Sequence, residues 1–181
     1  MVKYPDFITH IAGVDEVGRG PLAGPVTLGV CVIPVTLNRK SFKLIKDSKK
    51  LSASSRENWC LQMYKFKKDG IINFATSSKS SNYIDTKGLS RSIKESLDNA
   101  LALLNLSPQK TMVLLDGGLK APAKFIHQKT IIKGDEKELS ISLASIIAKV
   151  TRDAEMIKLA KKYPNYLFEL NKGYGTKKHI T

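Results

Sequence analysis

Short apolar runs alternate with amphipathic stretches along this chain, and Gly, Pro and Asp between them mark where the predicted elements stop. Residues 10–16 read as a strand. A second strand, residues 26–33, is rich in β-branched positions and bounded by Pro25 and Pro34. Residues 46–52 form a polar loop, and Ser52 or Ser54 caps a helix that runs to about Lys68. Asp69-Gly70 turns the chain into a short strand over 71–76. Between 85 and 106 the apolar positions Leu89, Ile93, Leu97, Leu101 and Leu104 recur at helical spacing, until Ser107-Pro108 ends the pattern. A short apolar strand over 111–115 ends in Asp116-Gly117-Gly118, and a brief strand around 130–132 leads to Gly134-Asp135. One long helix is expected over 136–162, with Leu139, Leu143, Ile146, Ile147, Val150 and Ile157 on one face. The tail over 171–178 is basic and loop-like. Strands and helices intermix without repeat, linker or low-complexity tract, which predicts one α/β domain spanning residues 1–181.

Composition changes this picture little, and charge changes it more. At 181 residues, with 42% hydrophobic and 25% charged positions, the chain can bury a substantial core. Thirty Lys and Arg against 16 Asp and Glu leave a net charge of +14, which favours a polyanionic partner because phosphate contacts release condensed counterions. A solvated basic surface that aids solubility accounts for the same charge, so charge alone makes nucleic acid plausible and no more. Cys31 and Cys60, without CxxC or Cys/His spacing, argue against structural zinc and against a disulfide framework. His10, His127 and His179 are too scattered for a local zinc motif. The N-terminal residues carry no apolar signal core, and no apolar stretch approaches the length of a membrane span, so a cytoplasmic protein is expected.

The candidate chemistry lies at the ends of the apolar runs. Ile11-Ala12-Gly13-Val14 ends in two adjacent carboxylates, Asp15 and Glu16, and a glycine-rich turn with Arg19 follows at once. Two acids at the mouth of a buried strand repel each other and lose hydration, and a hard divalent cation bound through oxygen compensates them most simply. Asp116 and Asp135 also close apolar segments, and strand ends are where sites gather in an open α/β sheet. Four carboxylates converging there would suit Mg²⁺ or Mn²⁺; two such ions about 3.5–4 Å apart activate water and stabilise the leaving oxygen in phosphodiester hydrolysis. Each of the later acids also has a plainer reading. Asp116 before Gly117 fits a turn, and Asp135 with Glu138 has the spacing of a helix capping box. Asp153 lies 18 residues beyond Asp135, roughly 27 Å along one helix. It is therefore expected to be an ion-pair partner or a surface residue. A nucleotide-cofactor reading of the glycine turn fails: Gly18-x-Gly20-x-x-x-Gly24 has one residue too many for GxGxxG, and there is no GxxxxGK[ST].

Asp15-Glu16-Val17-Gly18-Arg19-Gly20-Pro21-Leu22-Ala23-Gly24-Pro25, Asp47-Ser48-Lys49-Lys50-Leu51, Asp116-Gly117, Lys133-Gly134-Asp135, Ala144-Ser145-Ile146-Ile147-Ala148-Lys149-Val150-Thr151-Arg152-Asp153 and Gly173-Tyr174-Gly175-Thr176, in that order, resemble ribonuclease HII. The resemblance implies an RNase H-like fold, a central mixed sheet flanked by helices. It places the family's four metal-binding and catalytic acids on Asp15, Glu16, Asp116 and Asp135. Its Gly-Arg-Gly motif falls on Gly18, Arg19 and Gly20, and its junction-sensing tyrosine on Tyr174. The implied activity is hydrolysis of the RNA strand of RNA–DNA hybrids and nicking 5′ to a ribonucleotide embedded in duplex DNA, as in ribonucleotide excision repair, with 3′-hydroxyl and 5′-phosphate products. A metal cofactor, Mg²⁺ or Mn²⁺, and a monomeric state go with it.

The residues agree with that chemistry. Sensing a 2′-hydroxyl needs a group that both donates and accepts a hydrogen bond, and the backbone of Gly18 to Gly20 has no side chain in the way. Tyr174 between two glycines is free to stack on a sugar or base, though by itself it reads as an exposed loop tyrosine. Arg19, Lys49 and Lys50 would hold phosphates, against the plainer reading of solvated cations. Members of the family usually continue tens of residues past the Gly-Tyr-Gly-Thr block, so with Thr181 seven residues after Tyr174 a shortened C-terminal helical segment is expected. With 14 residues before Asp15, the N-terminal domain of the sister family, ribonuclease HIII, is not expected. Two rival functions stay open at this point. One is another nuclease of the RNase H-like superfamily that cuts without needing a 2′-hydroxyl, and the other is a basic binding module whose acids are structural.

Overall fold

Strand β2 (Val26–Pro34) is buried from Val26 through Ile33, so both of its faces carry apolar side chains and each needs a covering layer. The computed structural model, which describes residues 4–42, 45 and 51–176, supplies both. Around β2 lie β1 (His10–Val17), β3 (Asn73–Lys79), β4 (Thr111–Asp116) and β5 (Gln128–Ile131). They form one five-stranded mixed sheet in the order β3-β2-β1-β4-β5. The pairs β1–β2 and β2–β3 are antiparallel, whereas β1–β4 and β4–β5 are parallel.

Helix α3 (Leu89–Ala102) covers one face. It lies over β2 and β3, and its Ile93, Leu97 and Leu101 share one core with Leu28, Val30 and Val32 of β2, Ala12 and Val14 of β1, and Val113 and Leu115 of β4. The opposite face is covered by α1 (Ala53–Lys68) and α5 (Leu139–Lys162), where Ile11, Cys31 and Leu114 meet Met63, Ile141, Leu143 and Ile147. Helix α5 lies directly on the sheet because two strand positions have no side chain. A Cβ on Gly13 would come within 2.1 Å of the Ser140 backbone, and one on Gly29 within 2.3 Å of the Ala144 carbonyl. Cys31 and Cys60 are buried free thiols on β2 and α1. Ser52 caps α1, its hydroxyl accepting from the Ser55 N–H at 3.1 Å. Among the described residues no helix is long and apolar enough to cross a membrane.

Three predicted elements differ from the structure. The strand expected over 71–76 begins two residues later, as β3. The helical pattern over 85–106 is two helices, α2 (Ser81–Lys87) and α3, separated by Gly88 at φ +82°. A left-handed glycine is compatible with spacing that looks continuous, because the apolar face resumes at Leu89. The single helix expected over 136–162 is also divided, into α4 (Gly134–Lys137) and α5. Glu138 between them is extended, with φ −122° and ψ 120°; its N–H donates to Gly134 and its carbonyl accepts from Ser142. Ahead of the basic tail, a 3₁₀ turn over Pro164–Tyr166 precedes a short helix, α6 (Phe168–Asn171), and the described part of the tail beyond it, 172–176, is loop as expected.

Candidate functional site

Alternation along β1 sends residues 11, 13 and 15 toward α5, and in β4 residues 114 and 116 face the same way. The parallel register pairs Val14 with Leu115, so Asp15 and Asp116 leave the sheet side by side. Asp15 is only 5% exposed. Its Oδ1 accepts the Glu16 N–H at 2.8 Å, and the Ser145 side chain on α5 adds a second hydrogen bond. Burial, reinforced by the nearby charges of Asp116 and Glu16, pushes its carboxyl up to about 7. Burial raises Glu16 as well, against the opposing pull of Arg19, whose Nη1 stands 3.5 Å from Oε1.

The cleft at this sheet end has a volume of about 430 Å³ and brings together Asp15, Glu16, Asp116, Gly18, Arg19, Gly20 and Tyr174. Asp135 is buried and does not line it. The Gly134 N–H donates to Asp116 Oδ1 at 2.8 Å, which ties α4 to the end of β4, while Asp135 belongs to the lining of a second cleft with Arg39 and Ser142. The plainer capping reading of Asp135 is corrected: it lies inside α4, whose preceding residue, Lys133, is left-handed and makes no side-chain cap. Among the described residues no three acids or other metal-binding side chains are gathered closely enough to hold an ion. The donor chemistry nevertheless fits a hard divalent cation. Three carboxylates share one cleft, and their mutual repulsion is the kind that such an ion relieves. Lys49 and Lys50 lie outside the described residues.

Tyr174 is half-exposed, and a Cβ on Gly20 would stand 4.0 Å from its Cε1, so the ring faces the Gly-Arg-Gly turn. Arg56, Ser145 and Lys149 also line the cleft, and sequence reasoning singled out none of them for the site. Ser145 and Lys149 fall within a block that carries the resemblance, which assigned them no role, and the one signal for Arg56 was its position in the first turn of α1. Lys149 is paired with Asp153 at 2.8 Å, the ion-pair role expected of Asp153.

A family model described as Ribonuclease HII matches residues 12–181. The chain is similar to ribonuclease HII of Bacillus cereus (strain B4264), 45% identical over 175 residues, or 96% of this chain and 63% of that protein. It therefore spans less than two thirds of the length of the curated relatives it matches. Among solved structures it resembles ribonuclease H2 from Pyrococcus horikoshii OT3, with a TM-score of 0.72 and 29% identity over 94% of this chain and 83% of that one. It also resembles a chain of the PCNA:RNase HII complex from Archaeoglobus fulgidus, with a TM-score of 0.73 and 26% identity over 94% and 84%.

Proposed function

Because this chain belongs to the ribonuclease HII family, we propose that it is a metal-dependent endoribonuclease acting on ribonucleotides paired with DNA. It would hydrolyse the RNA strand of RNA–DNA hybrids and nick duplex DNA 5′ to a single embedded ribonucleotide, as a monomer of one domain in the cytoplasm. The observation that carries this reading is one shared cleft. Asp15, Glu16 and Asp116 stand on its floor, and the Gly18-Arg19-Gly20 turn and Tyr174 form its wall.

The roles follow from position. Asp15, Glu16 and Asp116, together with Asp135, would hold Mg²⁺ or Mn²⁺. Such ions activate water and neutralise charge on the leaving oxygen. Hydrolysis on the 5′ side breaks the P–O3′ bond and leaves 3′-hydroxyl and 5′-phosphate ends. The 2′-hydroxyl of that ribonucleotide adjoins its own 3′-phosphate and cannot reach the scissile one, so it acts as a recognition group. The main chain of Gly18 to Gly20 can contact it through both N–H and C=O. Tyr174, held against that turn, stacks on the sugar or base beside it. Arg19, exposed and ion-paired with Glu16 at 3.5 Å, and Lys49 and Lys50 would take backbone phosphates.

The test is cleavage of a duplex carrying one ribonucleotide, a uniform RNA–DNA hybrid and an all-DNA duplex, each with Mg²⁺, with Mn²⁺ and with chelator. Cutting of the first two, abolished by chelator, is expected. Cutting of all-DNA duplex would indicate a nuclease that does not need a 2′-hydroxyl, and salt-dependent binding with no cleavage would indicate a binding module.

A further inference from the structure

We propose that Arg152 is a positioning residue that sets the distance between the Gly-Arg-Gly turn and Tyr174, and so sets the preference for single ribonucleotides. This rests on the proposed function. Arg152 on α5 is fully buried, the largest side chain to be so among the described residues. Its guanidinium is directed at main-chain carbonyls: Nε donates to Pro25 at 2.8 Å, Nη2 to Ala23 at 3.1 Å and Nη1 to Lys172 at 2.9 Å. Pro25 and Ala23 close the glycine-rich turn, and Lys172 lies two residues before Tyr174.

The two segments also grip each other. The Gly173 carbonyl accepts from Leu22 at 2.9 Å and from Ala23 at 3.3 Å. Gly173 sits at φ +83°, and a Cβ there would lie 2.2 Å from the Ala23 carbonyl. On the turn side, a Cβ on Gly18 would stand 2.6 Å from Arg152 Nε. Turn, guanidinium and tail therefore have no slack between them. Burying a guanidinium is costly unless its donors are satisfied, and the planar fork reaches three carbonyls in fixed directions, which a lysine ammonium on a flexible stem does not. An apolar residue would fill the same space, as Met156 does one turn further on α5, without fixing either segment.

A lone ribonucleotide must be met at once by the turn and by the ring, so its recognition depends on their separation. A uniform hybrid offers many equivalent registers and tolerates a looser pair. The experiment compares kcat/KM on the single-ribonucleotide duplex and on the hybrid for wild type, Arg152→Lys, Gly173→Ala and Leu97→Ala. Leu97, on α3, is buried in the core and serves as a control for lost stability. Arg152→Lys is expected to lose about 10-fold more on the single-ribonucleotide duplex than on the hybrid, and to add little discrimination loss in a Tyr174→Ala background, since coupled residues are non-additive. Leu97→Ala should leave the ratio unchanged. Gly173→Ala, which disturbs the same junction from the tail, should reproduce the split even where the Arg152 variant does not fold. Equal losses on both substrates, or full additivity with Tyr174→Ala, would overturn the proposal. A wild type that cuts neither substrate refutes the functional reading instead. Amide exchange then tests the coupling alone: Arg152→Lys should speed exchange in 18–24 and 172–176 together, and acceleration in only one segment would overturn it.

Discussion

The two halves of the cleft are held by different physics. The acids stand on strands β1 and β4, inside a hydrogen-bonded ladder with an apolar core on each face. The turn and the tail are held by one buried guanidinium, two backbone hydrogen bonds at Gly173 and a small apolar cluster of Met156, Ala160 and Phe168. Strand ends locate charged groups firmly and leave them little room to relax, which suits a group that must act on one phosphorus. Loops held at a few points adjust to a partner, which suits recognition. If that division is right, substitutions on the strand floor should change the rate on every substrate, and substitutions on the turn and tail should change the ratio between substrates.

The largest effect belongs to the floor. Asp116→Asn is expected to lower kcat about 1,000-fold or more on both hybrid and single-ribonucleotide substrates, a barrier increase of ~4 kcal/mol. The amide oxygen can still accept the Gly134 N–H that Asp116 Oδ1 takes at 2.8 Å, so thermal unfolding and hybrid binding should stay close to wild type. Retention of more than about a tenth of the wild-type rate, under ~1.4 kcal/mol of barrier, would remove Asp116 from the ligand set.

The next effect is on stability. A buried carboxyl raised from 3.8 to about 7 keeps its proton in the folded state where the unfolded chain has released it. Folding stability is therefore greatest below the unfolded value and falls as pH rises between the two. In chelator, Asp15→Asn should abolish this dependence and stabilise the protein by on the order of 3–4 kcal/mol at pH 8, with most of the gain gone by about pH 4. Urea unfolding at the two pH values measures it. A gain independent of pH, or a loss at pH 8, would mean that repulsion and burial at Asp15 are not what the floor resists.

How far the sequence already contained this contrast differs between the halves. Strands β1, β2 and β4 were readable because β-branched runs end abruptly at Pro or at acids, and the acids at their ends marked the floor. Asp135 is legible as an acid of interest but its placement is not, since the charged run 135–138 reads as the first turn of the helix that follows and has no Gly or Pro to mark the break at Glu138. Arg152 was invisible for another reason. An arginine beside Asp153 on a helix looks like a solvated charge, and two of the three carbonyls that accept from it are 127 and 129 positions away in the chain. Hydrophobic periodicity reports which face of an element is covered, and it carries no information on long-range polar partners.

On the turn and tail the effects are smaller and selective. Tyr174→Ala should cost roughly 5- to 150-fold in kcat/KM on the single-ribonucleotide duplex, the worth of about 1–3 kcal/mol of stacking, and clearly less on the hybrid. Equal losses at matched salt would place the ring in general binding, and no loss on either would return it to the exposed loop residue that the sequence alone suggests.

The smallest effect marks the boundary of the site. Asp153 stands one residue beyond Arg152, yet its carboxylate turns to Lys149, 2.8 Å away, and does not line the cleft. Each side chain of the pair is about a fifth exposed, at 23% and 21%, and partly solvated helix pairs contribute little, about 0.3–0.5 kcal/mol. Asp153→Asn is therefore expected to change kcat less than about threefold, which is under ~0.7 kcal/mol. The amide frees the full charge of Lys149 at the cleft wall, where it can take a phosphate. KM should therefore fall slightly at low salt, and that gain should vanish as salt is raised. Measuring kcat and KM for Asp153→Asn across a salt series separates the two parameters. A collapse of kcat comparable to Asp116→Asn would show that the conspicuous Arg152-Asp153 pair reaches the reacting centre through its acid, and the division between a catalytic floor and a recognising wall would have to be redrawn through α5.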